Sequence, residues 1–253
     1  MDRRAFLTTS LVFSAATPAQ WSANTRARSR IKAVAFDGFP VIDSRPIATK
    51  TEELFPGKGD ALVTLWRTRQ FEYTWLRTLS GRYVDFWQTT EDALIFAAKS
   101  MQVPLDEHSR GQLMATYLEL KTWPDAQEAL ESLRAAGIRL AFLSNLTTRM
   151  LDAALSNSGL RGLFEPHLST DRVRSYKPHP KAYEMALRAF GATRDEIVFC
   201  ASAGWDAAGA KWFGYPTFWV NRSSQPVEEL GARPDGIGSS MTDLASFVLA
   251  TVR

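Results

Sequence analysis

Four places in this 253-residue chain carry side chains that could together break and remake a covalent bond: Asp37, Ser144-Asn145, Lys177 and Asp206. Asp37 closes the apolar run Ile31-Lys32-Ala33-Val34-Ala35-Phe36. A carboxylate at the end of a buried run is costly to desolvate unless it has partners or a task. A lysine beside it keeps it ionised, which suits a nucleophile. A second carboxylate can activate water or hold the lysine in place. Taken singly, each group has a plain structural alternative. Asp37 reads equally as a turn residue or helix cap, Ser144-Asn145 as a cap, Lys177 as a surface lysine, and Asp206 as the cap of the last helix before Gly214. It is their joint arrangement that points to chemistry.

The elements that must position these groups follow from periodicity and breakers. Residues Ile31 to Phe36 predict a short buried strand by length and by branched and aromatic content. Asp37 to Pro46 reads as a loop, with Gly38, Pro40 and Pro46 as breakers. Residues 60–79 predict a helix with Leu62, Leu65, Trp66, Phe71, Trp75, Leu76 and Leu79 on one side. Residues 91–100 and 106–120 predict two more, with Glu91-Asp92 and Asp106-Glu107 in the first turns, where acid favours the helix dipole. From Trp123-Pro124 onward the pattern changes. Helices over 125–136, 148–157, 179–190 and 206–213 end at or near Gly137, Gly159, Gly191 and Gly214. Strands are expected at Ile138–Leu143, near His167-Leu168-Ser169, at Ile197–Cys200 and at Thr217–Val220. Such alternation indicates βαβ units. The expected fold is α/β, a Rossmann-like parallel sheet core with an inserted helical cap domain. Residues 31–45 and 123–253 form the core and 46–122 the cap. In a parallel sheet the four polar strand ends share one edge, where open α/β sheets bind ligands.

Composition limits the partners. The net charge of +3 comes from the N-terminus, where Arg3, Arg4, Arg26, Arg28 and Arg30 face only Asp2. The remaining 25 basic and 26 acidic residues nearly cancel, so no nucleic-acid face is expected. Asp2-Arg3-Arg4-Ala5-Phe6-Leu7, a short apolar stretch to Ala16 and Thr17-Pro18-Ala19 have the layout of an export signal. The arginine pair resembles the twin-arginine type, so residues 1–30 are expected to be signal and leader, the export machinery a partner and the periplasm the destination. The apolar stretch is too short to span a membrane. The single cysteine, Cys200, lies in an apolar run and reads as a buried thiol. His108, His167 and His179 show no metal-ligand spacing and are expected at the surface.

The order Asp37, Ser144-Asn145, Lys177-Pro178, Asp206 resembles the four-motif pattern of the haloacid dehalogenase superfamily. Phosphatases of that superfamily carry a second Asp two residues after the nucleophile, and a carboxylate pair in the last motif to hold Mg²⁺. Here those places hold Phe39, and Asp206 between Trp205 and Ala207. Leu65-Trp66-Arg67, Gln70 to Arg77, Arg82 to Trp87 and Thr90 to Leu94 are similar to the type II (S)-2-haloacid dehalogenases. So are Lys177-Pro178 with Tyr183, and Trp205 to Ala210. The resemblance runs from about residue 31 to the C-terminus. It implies cofactor-free hydrolysis of short 2-haloalkanoic acids to 2-hydroxy acids of inverted configuration, with no metal. Asp37 would form the ester, Asp206 would help activate water, and Lys177 would orient both. Ser144, with Lys177 and loop amides, would hold the substrate carboxylate. Arg67 and Asn145 would receive the halide. Phe39, Phe86 and Trp205 would shape the substrate pocket, and Tyr183 would support the acid–base cluster. It also implies a homodimer through cap helices. Without the resemblance, Arg67 reads as a helix-surface arginine, and Phe86 and Trp205 as core.

The chain departs from that family at three polar groups. The aromatic-Gly-Thr that usually follows the nucleophile is replaced by Phe39-Pro40-Val41, and the usual Ser and Asn before Trp-Asp fall at Ala201 and Ala203. Losing such partners lowers rates by orders of magnitude unless other groups, such as Ser202, take over. Two alternatives stay open on these residues: another hydrolase of the superfamily, phosphatase-like with an unusual acid, and a non-catalytic binder of small carboxylates.

Overall fold

β1 (Ala33–Phe36) is buried on both faces because it runs through the middle of the sheet. Val34 and Phe36 pack into one apolar cluster, and Ala33 and Ala35 into the other. Burying each large apolar side chain of this kind stabilises by roughly 1.5–3 kcal/mol. The computed structural model describes residues 31–252. The export signal and leader expected over 1–30 lie outside the described residues.

After β1 come α1 (Gly38–Val41), α2 (Arg45–Leu54), α3 (Gly59–Leu79), α4 (Phe86–Ser100) and α5 (Glu107–Glu119). The alternating part follows: α6 (Ala126–Ala135), β2 (Arg139–Ser144), α7 (Thr148–Ser158), β3 (Leu168–Ser169), α8 (Pro180–Phe190), β4 (Ile197–Ala201), α9 (Gly204–Phe213) and β5 (Thr217–Val220). β6 (Gly236–Gly238) and α10 (Met241–Val252) end the described chain. The sheet order is β3-β2-β1-β4-β5-β6, and every pairing is parallel. This is the expected α/β fold with a parallel sheet. Phe36 lies opposite both Phe142 and Cys200, so Asp37, Ser144 and the loop after Ala201 emerge side by side. The chain enters and leaves α2–α5 through two strands of backbone that touch: Ile42 bridges Thr122, and Asp43 N–H donates to the Lys121 carbonyl at 2.8 Å.

Several local expectations need correction. The ladder of β1 starts at Ala33, although Ile31 is buried. The stretch read as a loop to Pro46 contains the turn α1 and the start of α2, because a proline at the first helical positions starts a helix rather than breaking it. α4 begins at Phe86, capped by the Asp85 carboxylate on Gln88 N–H at 2.8 Å. Glu91 and Asp92 are therefore mid-helix, and Asp92 pairs with Arg77 of α3 at 2.6 Å. On α3 the buried stripe is Leu62, Trp66, Gln70 and Thr74, at helical spacing of four. Leu76 and Leu79 point out, 59% and 85% exposed. Gln70 is admitted to the interior because its amide donates to Thr90 Oγ1 at 2.7 Å. His167 is buried rather than superficial, with Nε2 3.2 Å from Asp152 Oδ1, and burial lowers its pKa. Cys200 is buried, as its apolar run implies.

Candidate active site

The residue after β1 does more than turn the chain. Asp37 caps α1 only weakly, accepting from Phe39 N–H at 3.4 Å. Its carboxylate is committed elsewhere: Oδ1 accepts from Lys177 Nζ at 2.8 Å, and Oδ2 from the Ser202 hydroxyl at 2.7 Å. Gly38 lets this loop press against the end of β2. A Cβ there would fall 2.5 Å from Leu146 Cδ1 and 3.2 Å from Ser144 Oγ.

Lys177 is not a surface lysine. It is 1% exposed, and its ammonium bridges the two carboxylates, reaching Asp206 Oδ2 at 2.5 Å. The loop that carries it is held from three sides. Its own N–H donates to Asn145 Oδ1 at 3.1 Å, the Tyr176 N–H donates to Thr78 Oγ1 at 3.1 Å, and the Tyr176 hydroxyl donates to the Val84 carbonyl at 2.7 Å. The last two bonds come from the helical insert, as does the bond from the Tyr83 hydroxyl to Asp171. The position of Lys177 is thus tied to the position of the insert. Ser144-Asn145 is not the cap of α7 either; Thr147 caps it through Met150 N–H at 3.3 Å.

Asp206 lies in the first turn of α9, where the helix dipole favours a carboxylate. Tyr183 of α8 stands behind it and donates to Oδ1 at 2.7 Å. Gly209 makes room for this contact, since a Cβ there would meet the Tyr183 hydroxyl at 2.6 Å.

Two buried carboxylates and one ammonium leave the cluster with a net negative charge. Burial alone would raise the Asp37 carboxyl; the Lys177 charge and hydrogen bond, with the bonds from Ser202 and Gly38, overturn that and hold it below the usual range. Burial would deprotonate Lys177, but Asp206 and Asp37 keep it protonated well into the alkaline range. Asp206 is pushed up to about 6, first by burial and then by the Asp37 charge, against the pull of Lys177 and Tyr183. One acid is thus held ionised, as a nucleophile needs, and the other titrates where a general base works.

Asp37 opens on a cavity of about 20 Å³, walled by Phe39, Phe71, Phe86, Asn145 and Trp205, with Ser144 and Ser202 on its edge. That volume holds little more than one water-sized probe. Phe39, Phe71, Ser202, Ala203 and Trp205 also wall a larger cavity of about 760 Å³, which Arg67 lines. Arg67 lies over the Phe39 ring at 5.1 Å and over Phe71 at 5.9 Å. The structure therefore brings Asp37, Lys177, Asp206 and Tyr183 into one bonded cluster, with Phe39, Phe86, Ser144, Asn145 and Trp205 around the small cavity. It sets Arg67 one wall away, in the larger one. Phe71 and Tyr176 have roles that residue type alone does not reveal. Phe71 follows Arg67 by one helical turn and meets Trp205 edge-on at 5.4 Å. Among the described residues no group of three or more His, Cys, Asp or Glu is placed to hold a metal ion. Phe39, Trp205 and Ala207 supply no further carboxylate beside Asp37 and Asp206, which the Lys177 ammonium already bridges, so these residues do not fit the Mg²⁺ site of the superfamily's phosphatases.

Comparison with known proteins identifies the family of the chain. Residues 15–214 match the family model for haloacid dehalogenase-like hydrolases. The chain is 43% identical over 206 residues to an (S)-2-haloacid dehalogenase of Pseudomonas sp. (strain YL), covering 81% of this chain and 89% of that one. A crystal structure of an L-2-haloacid dehalogenase superposes with a TM-score of 0.85 at 43% identity, covering 87% of this chain and all of the other (100%). The L-2-haloacid dehalogenase of Xanthobacter autotrophicus with chloropropionic acid covalently bound superposes with a TM-score of 0.80 at 33% identity, covering 87% and 98%.

Proposed function

We propose that this chain, which belongs to the haloacid dehalogenase-like hydrolases, removes halide from short (S)-2-haloalkanoic acids and releases (R)-2-hydroxy acids. The observation that carries the reading is the Lys177 ammonium bridging Asp37 and Asp206, 2.8 and 2.5 Å away, beside an aromatic-walled cavity. Asp37 attacks C2 from the face opposite the halogen. The C2–halogen bond breaks, the halide leaves with the bonding pair, and an ester joins Asp37 to the substrate. Water then attacks the Asp37 carbonyl carbon while Asp206 takes one of its protons. Lys177 stabilises the charge that develops on the carbonyl oxygen. Ser144 and the amides after Asp37 suit the substrate carboxylate. Asn145, whose carbonyl oxygen is occupied by Lys177 N–H, has its amide nitrogen left for the halide. Arg67 supports the same step from the larger cavity.

The direct test is halide release from (S)- and (R)-2-chloropropionate with chelator present. Release from the S isomer alone supports the reading, and release from neither by folded protein overturns it. Hydrolysis of the ester is expected to slow as pH falls, by about tenfold per pH unit once Asp206 is protonated, because that form cannot accept a proton from water; Asp206 is raised to about 6 in the free enzyme, and the limb lies below that in the ester, where the Asp37 charge is lost. Single-turnover rates from pH 4.5 to 8 check this, and a flat profile removes Asp206 as the base.

Two further readings rest on less. We propose export to the periplasm on the sequence Arg3-Arg4 and the apolar stretch after it; fractionation of cells that make the chain with both arginines changed to lysine tests it. A homodimer through the cap helices is supported by the exposed Leu76 and Leu79 at the end of α3. A monomer by light scattering at micromolar concentration would rule it out.

A further inference from the structure

We propose that Ser202 is a catalytic residue of this site, holding Asp37 Oδ2 for attack and then hydrogen-bonding the same oxygen as it departs in the product. The inference rests on the reading of Asp37 as an ester-forming nucleophile. It starts from what the chain lacks: three hydroxyl and amide groups usual near such a nucleophile are replaced by Val41, Ala201 and Ala203. Ser202 Oγ is 2.7 Å from Asp37 Oδ2. Among the described residues the other partners of this carboxylate are Lys177 on Oδ1 and the backbone N–H groups of Gly38 and Phe39, the latter at a long 3.4 Å. No other side-chain hydroxyl or amide of the described residues bonds it. Ser202 is itself held, because its carbonyl accepts from Trp219 Nε1 at 3.1 Å.

The placement also identifies the attacking oxygen. Ser202 lines the small cavity and Lys177 does not. Oδ2, on the Ser202 side, therefore faces the space a substrate would enter, and Oδ1 faces the buried ammonium. Oδ2 gives its electron pair to C2, and the halide leaves with the pair from the broken bond. Oδ1 becomes the ester carbonyl oxygen, still held by Lys177. In the second step water adds to the carbonyl carbon, and collapse breaks the bond from that carbon to Oδ2. One water proton passes to Asp206 and on to solvent; the other ends on Oδ2, now the product hydroxyl. Ser202 keeps its own proton throughout. It donates to Oδ2 as a carboxylate oxygen in the first step and as a leaving alkoxide in the second, both states in which that oxygen carries charge.

The experiment measures kcat, KM and the pH dependence of kcat/KM for wild type, Ser202→Ala and Ser202→Thr on (S)-2-chloropropionate. Ser202→Ala is expected to lower kcat by about 10- to 100-fold with KM within about threefold. The acid limb of its kcat/KM should move to higher pH, because the nucleophile loses a bond that favours its charged form. Ser202→Thr, which keeps the hydroxyl, should recover most of the rate and the original limb. If wild type releases halide and Ser202→Ala matches it within about twofold with an unmoved limb, this inference fails and the parent reading stands. If wild type releases no halide from either isomer, both fail.

Discussion

Asp37→Asn should abolish turnover while leaving the fold intact. The amide is nearly isosteric with the carboxylate but has no charge and no oxygen able to displace halide from carbon. Removing a residue that forms the covalent intermediate costs at least about 10³-fold in kcat/KM, with only binding and electrostatic contributions left behind. Stability should also fall, but modestly. The Asp37 carboxyl is held below its usual range by Lys177 and Ser202, so its charged form stabilises the fold at neutral pH and the neutral amide loses that contribution. The remaining Lys177–Asp206 pair keeps the buried ammonium matched, so a loss on the order of 1 kcal/mol is expected. Halide release and urea unfolding on the same preparation decide it. A further readout is oxygen exchange with enzyme in excess over substrate: label from heavy-oxygen water should enter the Asp37 peptide and not the product, because water attacks the enzyme side of the ester. Label in the product would mean that water attacks C2 directly, and Asp37 would not be the nucleophile.

Lys177→Met should damage both activity and stability. The methionine fills similar volume, but Asp37 and Asp206 are left buried without the cation that bridges them at 2.8 and 2.5 Å. Breaking a buried ion pair by removing one partner typically destabilises by about 3–5 kcal/mol. Part of that is recovered by proton uptake, since two carboxyls in one site cannot both stay ionised. The sign of the pH dependence follows. In the variant one carboxyl has its folded-state pKa raised above its unfolded value. Its contribution is then fully present below the unfolded pKa and lost as pH rises through the folded one. The stability deficit against wild type should therefore be small near pH 4.5 and grow toward pH 8. Activity should fall by at least about 10²-fold at all pH values, because the carbonyl oxygen of the ester loses its cation. Denaturant unfolding at both pH values tests the first part. A deficit that is constant with pH would mean that Lys177 acts by packing rather than by charge.

Much of the framework was legible because its signals are local. The glycines after α6, α7, α8 and α9 mark helix ends within a residue or two, since a positive φ at such positions favours glycine. Strand ends in β1, β2 and β4 were read from short apolar runs to within a residue or two. α10 escaped although its signal was present: Ser240 and Asp243 cap each other reciprocally, and Met241, Leu244, Ala245 and Val248 recur at helical spacing. The start of α4 escaped because an Asp-Phe pair is a weak boundary, until Asp85 is seen to accept from Gln88 N–H.

The site divides along a similar line. The residue types, their order and their places at the strand ends were determined by the sequence alone, and the proposed chemistry rests on them: Asp37 to attack, Lys177 to hold charge, Asp206 to take a proton. Only the tertiary structure decided which Asp37 oxygen meets Lys177 and which meets Ser202, that Ser202 reaches Asp37 where Ala201 and Ala203 cannot, and that Arg67 lines the larger cavity. It also decided that Leu76 and Leu79 are exposed while Gln70 is buried. The reason is one of range. Periodicity, capping and turn chemistry act over a few residues and can be read along the chain. The 2.7 Å contact between residues 37 and 202 depends on the register of β1 against β4 and on the direction in which one loop hydroxyl points. Neither is written in the spacing of residue types.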